Sequence, residues 1–130
     1  MAAPRVSIET VRTTSAGPDG AEVEWRVTNL GVAPVRLVAV AAPHRLFRAD
    51  DLSLGTTLPP SGATVVTLRV ASHESSGAEI ENAFLIFTAE VGGSTWRILT
   101  RMRVRVDADG MPCPVVERID VQEVGSNGQG

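Results

Sequence analysis

Lysine and tyrosine do not occur in this sequence, and all twelve basic side chains are arginine. An arginine-favouring, GC-rich bacterial genome accounts for both absences. The functional reading beside it is selection for bidentate, weakly hydrated cations at an interface. A single cysteine, Cys113, excludes an internal disulfide. There are only two histidines, His44 and His73. A metal site wants three or four converging ligands. The best local cluster, His73-Glu74 with Glu79 and Glu81, has no ligand spacing, and no His follows Cys113 to complete a copper centre of the cupredoxin kind. No metal and no cofactor is expected.

Long apolar runs are also missing. No segment approaches the ~20 apolar residues of a membrane helix. Met1–Ile8 lacks the apolar stretch of a signal peptide, so the cytoplasm is the default compartment. A basic excess is lacking too: the net charge is −3, which argues against a dedicated nucleic-acid binder. Catalytic signatures are absent as well. No G-x-S-x-G turn offers a strained nucleophile, and no glycine-rich loop leads into a helix. The reading is non-enzymatic.

What the chain does have is period-two alternation. In Ala21–Thr28, Val23, Trp25 and Val27 point one way and Glu22, Glu24, Arg26 and Thr28 the other, as in a strand with one wet face. Val6, Ile8 and Thr10 read as an earlier strand, and Ser15–Gly20 as a loop. Pro34–Ala42 is apolar on both faces except Arg36, which suggests a strand in mid-sheet. His44–Leu54 is ambiguous between a short edge strand and an irregular crossover. Val65–Val70 is a strand with Val66, Leu68 and Val70 inward, and Ser72–Gly77 a polar loop. Asn82–Val91 and Ser94–Val106 form a hairpin, because Gly92-Gly93 accepts the positive φ of a two-residue turn. Val115–Val124 suggests one more strand, and Ser126–Gly130 a frayed tail.

With 130 residues there is room for one domain. Seven or more short strands predict an all-β, immunoglobulin-like β-sandwich of about seven to nine antiparallel strands. It would occupy residues 1–110, with a C-terminal extension at 111–130. The run Val23-Glu24-Trp25-Arg26-Val27-Thr28-Asn29-Leu30-Gly31, then Leu58-Pro59-Pro60-Ser61-Gly62 and Val65–Val70, resembles bacterial immunoglobulin-like modules related to cell-adhesion domains. Those carry a strand ending in Asn-x-Gly, then a Pro-Gly turn feeding an alternating strand; here Ser61 stands between Pro60 and Gly62. The resemblance implies no catalytic residues and offers a cell-surface adhesion role as the alternative.

The hairpin register defines a candidate surface. With Gly92-Gly93 as the turn, Leu85, Phe87, Ala89, Trp96, Ile98 and Thr100 share the core side, joined by Met102, Val104 and Val106. Trp25 and Trp96 fall on apolar parity and read as core rather than as a stacking site. The other side carries Phe84, Ile86 and Thr88 beside Arg97, Leu99, Arg101, Arg103 and Arg105. Covering Phe84, Ile86 and Leu99 would be worth roughly 5–8 kcal/mol. Aromatic, aliphatic and arginine side chains together are what interface centres favour. Phe84, Ile86, Arg97, Leu99, Arg101 and Arg103 are therefore the expected contacts for a protein partner or a second copy, with Val38 and Val40 extending them. Two other readings stand beside this one. The chain covers the face itself with His44–Leu54 or Val115–Val124, or the arginine row is a solvated face balanced by neighbours such as Glu90. Other rivals are peptide addition at an exposed edge near His44–Leu54 and a role as the small subunit of an enzyme.

Overall fold

The computed structural model describes residues 3–18 and 20–126, so part of the predicted Ser15–Gly20 loop and residues 127–130 of the predicted tail lie outside the described residues. Among these residues eight strands follow one another: β1 (Val6–Ser15), β2 (Gly20–Asn29), β3 (Val35–His44), β4 (Phe47–Leu58), β5 (Ala63–Ala71), β6 (Glu79–Val91), β7 (Ser94–Val106) and β8 (Pro112–Ser126). No helix is present among the described residues, and so none that is long and apolar enough to cross a membrane.

All strands pair antiparallel in one sheet of order β1-β2-β5-β4-β3-β6-β7-β8. The sheet curls until its outer strands meet, where the Thr10 hydroxyl donates to the Pro114 carbonyl at 2.9 Å. This nearly closed barrel differs from the expected pair of stacked sheets. Its three-strand half, β1-β2-β5, and its five-strand half, β4-β3-β6-β7-β8, remain joined by β4 and β5, where Arg48 stands opposite Ala71.

Alternation fills the interior. Val23, Trp25 and Val27 of β2 and Val66, Leu68 and Val70 of β5 are buried, and they meet Leu85, Phe87, Ile98, Met102 and Val104 from the other half. The Trp25 and Phe47 rings touch edge to face, with centroids 6.3 Å apart and planes at 88°. Trp96 is also buried, so both tryptophans are core.

The segment His44–Leu54 is neither a short edge strand nor a crossover. It holds the end of β3, a tight turn, and more than half of a 12-residue β4. At the turn, the His44 imidazole Nδ1 accepts the Leu46 amide at 3.1 Å. β3 lies mid-sheet between β4 and β6, as its two-sided apolar character predicts. It also carries a bulge. Leu37 pairs with Ala89 and Ala39 with Thr88, which leaves Val38 extra. The bulge shifts parity. Val40 therefore points into the core, 1% exposed and opposite Phe87, and does not extend the outer face as its spacing from Val38 implies.

The turn before β5 has a clear physical logic. Gly62 N–H donates to the Pro59 carbonyl at 2.8 Å, with Pro60 second and Ser61 third in the turn. Ser61 takes φ of 66°, the value a type II turn requires at its third position and that glycine adopts without cost. Ser61→Gly is expected to raise the unfolding free energy by up to about 1 kcal/mol, the αL relief exceeding the extra freedom glycine gains in the unfolded chain. Thermal denaturation checks this, and a lowered Tm would contradict it.

Candidate interaction face

The hairpin adopts the register that its glycine pair dictates. Val91 stands opposite Ser94, Ala89 opposite Trp96, Phe87 opposite Ile98 and Leu85 opposite Thr100. Gly92 and Gly93 take φ of 55° and 87°, which match the right-handed twist of the flanking strands. The core set is buried throughout.

The outward set follows. Phe84 faces Arg101, Ile86 faces Leu99 and Thr88 faces Arg97. β3 continues these rows, with Ala41 beside Ile86 and Ala39 beside Thr88. β8 continues them on the far side, with Asp120 beside Leu99 and Gln122 beside Arg97. Phe84, Ile86 and Leu99 are each half-buried while sharing one side of the sheet. Because neighbours already shield part of each side chain, the gain from covering them is smaller than for fully exposed residues. Neither of the two segments that the sequence offers as a cover lies over the face. β4 pairs beside β3, and β8 pairs beside β7 from Pro112 to Ser126.

The arginines of β7 divide into two groups. Arg101 and Arg103 meet Glu117 at 3.9 and 3.3 Å, Arg103 also meets Glu81 at 3.6 Å, and Arg105 meets Glu79 at 3.2 Å. Glu79 and Glu81 reach this row because β6 begins at Glu79 and bulges before Ala83, where Asn82 takes φ of 56°. Glu90, the sequence-predicted neighbour, pairs instead with Arg36 at 3.0 Å. These ion pairs are largely solvated and each contributes little to stability. They do leave little uncompensated charge on Arg101, Arg103 and Arg105. Arg97 is different: it forms no ion pair among the described residues. It lines a shallow hollow of about 250 Å³ with Ala39, Ala41, Ile86, Thr88 and Asp51. Asp51, Ala39 and Ala41 escape sequence reasoning, because the bulge in β3 and the irregular start of β4 hide which face each residue takes.

The other sequence candidates lie elsewhere. No group of three or more His, Cys, Asp and Glu side chains is placed to hold a metal among the described residues. Cys113 is exposed on β8 opposite Arg105. Its thiol donates to the Asp107 carboxylate at 3.9 Å. Partial burial first, then the Asp107 charge and hydrogen bond, push the thiol pKa up. A raised pKa means less thiolate at any given pH. Cys113 should therefore react with iodoacetamide more slowly than a free thiol at mildly alkaline pH, with its rate profile displaced to higher pH. Asp107→Asn should speed the reaction while keeping the Oδ1 acceptor that holds the Asp109 and Met111 amides. An unchanged or slower rate in that variant would overturn the assignment.

No family model and no curated protein matches the sequence. Among solved structures the chain is similar to the X-ray structure of Northeast Structural Genomics Consortium target SoR45. The identity is 14% and the TM-score 0.25, over 97% of this chain and 87% of that one. At that TM-score the likeness carries no weight for fold or activity.

Proposed function

We propose that this protein is a non-enzymatic accessory or scaffold domain that binds a protein partner through the outer face of β3, β6 and β7. The observation that carries this reading is an apolar row, Ala41, Ile86 and Leu99, with Phe84 beside it, that no strand among the described residues crosses. A solvent face has no need of such a row, and monomers rarely keep contiguous apolar patches without a use for them. Arg97 at its border adds a side chain that interface centres favour.

Face binding is preferred over strand addition at the side of β4 that faces β5, where only Arg48 is paired. That edge is interrupted where β4 shifts register against β3, between Leu37 and Ala39 and again between Val40 and Ala42. It also carries Asp50 and Asp51. Bulges and charges are how proteins protect an edge from added strands. The immunoglobulin-like relation belongs to the same proposal. β2 beside β5, and β3 between β4 and β6, follow the Greek-key connectivity of such domains. The cytoplasm is the proposed compartment, and fractionation of the producing cell separates it from an adhesion role at the surface.

The test compares the untagged chain with a Phe84→Glu/Leu99→Glu variant, by solution mass and by what co-purifies from the native cell. Both side chains lie on the outward side of the hairpin and neither is fully buried, so the variant should stay folded and lose its partner or assembly. A folded monomer in both cases, with the co-purifying set unchanged, would refute the proposal.

A further inference from the structure

On the outer face of the five-strand half, most of the charge is already matched. Arg36 pairs with Glu90, Arg48 with Asp50, Arg101 and Arg103 with Glu117, Arg105 with Glu79, and Arg118 with Asp120. Arg97 and Asp51 stand apart. Among the described residues neither forms an ion pair, with each other or with any other side chain. They lie on opposite walls of one hollow floored by Ala39, Ala41 and Ile86.

Their placement is symmetric. The strand order here is β4-β3-β6-β7, with Asp51 on β4 and Arg97 on β7. Each therefore stands one and a half strand spacings, about 7 Å, from the line between β3 and β6. Arg97 is level with Ala39 through Thr88. Asp51 falls between Leu52, opposite Val40, and Ala49, opposite Ala42, and so is level with Ala41. The two charges are thus offset by about two residues along the strands, and packed sheets cross at an angle because each is twisted. A two-fold axis lying over the β3/β6 line, inclined to the strands, carries Arg97 onto the Asp51 of another copy and Asp51 onto its Arg97. The same operation lays Ile86, close to the axis, against its own symmetry mate and Ala41 beside the other copy's Ile86.

We propose, resting on the reading of this face as a binding surface, that its partner is a second copy of the chain. Two copies pack face to face in an isologous dimer closed by two reciprocal Arg97–Asp51 pairs around the Ile86 centre. Isologous contact needs a patch complementary to itself. This one is: its apolar middle matches any copy of itself, and its two unmatched charges are of opposite sign and equidistant from the middle. The remaining charges of the face are neutralised within each copy, so they oppose the approach little.

Sedimentation velocity over a range of concentrations tests this with four samples. The wild type should sediment as a dimer. Arg97→Asp sets a carboxylate at that position against the other copy's Asp51, and Asp51→Arg sets a guanidinium against the other copy's Arg97. Each variant alone should be monomeric, its dimer weakened on the order of 100-fold or more by like charges brought together. An equimolar mixture of the two variants should dimerise again. In the mixed dimer one pair of contacts joins the two introduced side chains and the other joins the two native ones, so every contact is of opposite sign. Recovery in the mixture also shows that both variants are folded. A wild type that stays monomeric at all concentrations overturns the inference. So does a dimer that neither variant weakens, or a mixture that fails to recover. The dimer and the binding face can fail separately. A monomeric wild type whose co-purifying partner is lost with Phe84→Glu/Leu99→Glu sinks the dimer and leaves the face as a binding surface. Unchanged mass and unchanged partners in that variant sink both.

Discussion

Asn29→Ala is expected to lower the unfolding free energy by about 3–4 kcal/mol, a large share of the roughly 5–15 kcal/mol available to a domain of this size. Asn29 is fully buried at the end of β2. Its side-chain amide donates to the Ala33 carbonyl at 2.9 Å and to the Leu58 carbonyl at 3.0 Å. Its side-chain oxygen accepts the Gly31 amide at 2.9 Å. The same residue's backbone donates to the Gly62 carbonyl and accepts the Ser61 amide, both at 2.9 Å. One side chain thus ties the end of β2 to the loop before β3 and to the end of β4. Alanine would leave three groups without partners, each costing about 1–3 kcal/mol where water cannot reach it. Ala33 is only half-buried, so its carbonyl recovers some hydration and the sum stays below the maximum. Asn29→Asp should be no better, since it keeps the acceptor but turns a carboxylate oxygen toward two carbonyls. Urea denaturation of the three proteins measures this. A loss under about 1 kcal/mol for Asn29→Ala would show that the clamp is not what holds these segments.

That clamp gives the Asn-x-Gly and Pro-turn signals their physical meaning. They lie far apart in sequence, yet Asn29 bonds directly to the turn that ends in Gly62. The sequence shows the two motifs but not the bond, because nothing local records which segments meet. The same contrast runs through the fold. The hairpin of β6 and β7 is legible to the residue, since a two-residue turn fixes the pairing and period two then assigns every face. β3 is legible as a mid-sheet strand but not in phase. Its residues from Leu37 to Ala42 are all small or apolar, so the bulge at Val38 leaves no mark in composition, and only pairing with β6 reveals it. β4 is obscured for a different reason. Asp50, Asp51 and Ser53 break its alternation, and Gly55 takes φ of 67°. A strand bulged twice does not show a period.

The closing of the sheet is the least visible feature. Whether β4 and β5 join depends on one bridge, and whether β1 meets β8 depends on a hydroxyl reaching a proline's carbonyl across the chain. The candidate face shows the consequence. Phe84, Ile86 and Leu99 can be placed outward from sequence because they sit on the legible hairpin. Asp51 cannot, because its position depends on both bulged strands. The arginine row finds in three dimensions partners that the sequence does not point to, since Glu117 arrives from β8, Glu79 from the start of β6 and Glu81 from its bulge.

The barrel has so little backbone pairing between β4 and β5 that side chains must hold its two halves together, which makes Trp25 the residue to remove. It is fully buried, paired with Val66 on β5 and with Thr10 on β1, and it reaches Phe47 on β4 across the weak junction. Trp25→Ala should cost about 3–5 kcal/mol through lost burial and the cavity left behind. Trp25→Phe should cost less than about 2 kcal/mol, for a reason specific to this site. Among the described residues the indole N–H is buried without a hydrogen-bond partner, so phenylalanine discards an unpaired donor along with the lost volume. Phe47→Ala, alone and with Trp25→Ala, completes a double-mutant cycle. A coupling of about 0.5–1.5 kcal/mol is expected for an edge-to-face pair. A cycle that closes with no coupling would mean the two rings are neighbours without joining the halves. Trp25→Phe costing as much as Trp25→Ala would mean that the indole N–H has found a partner.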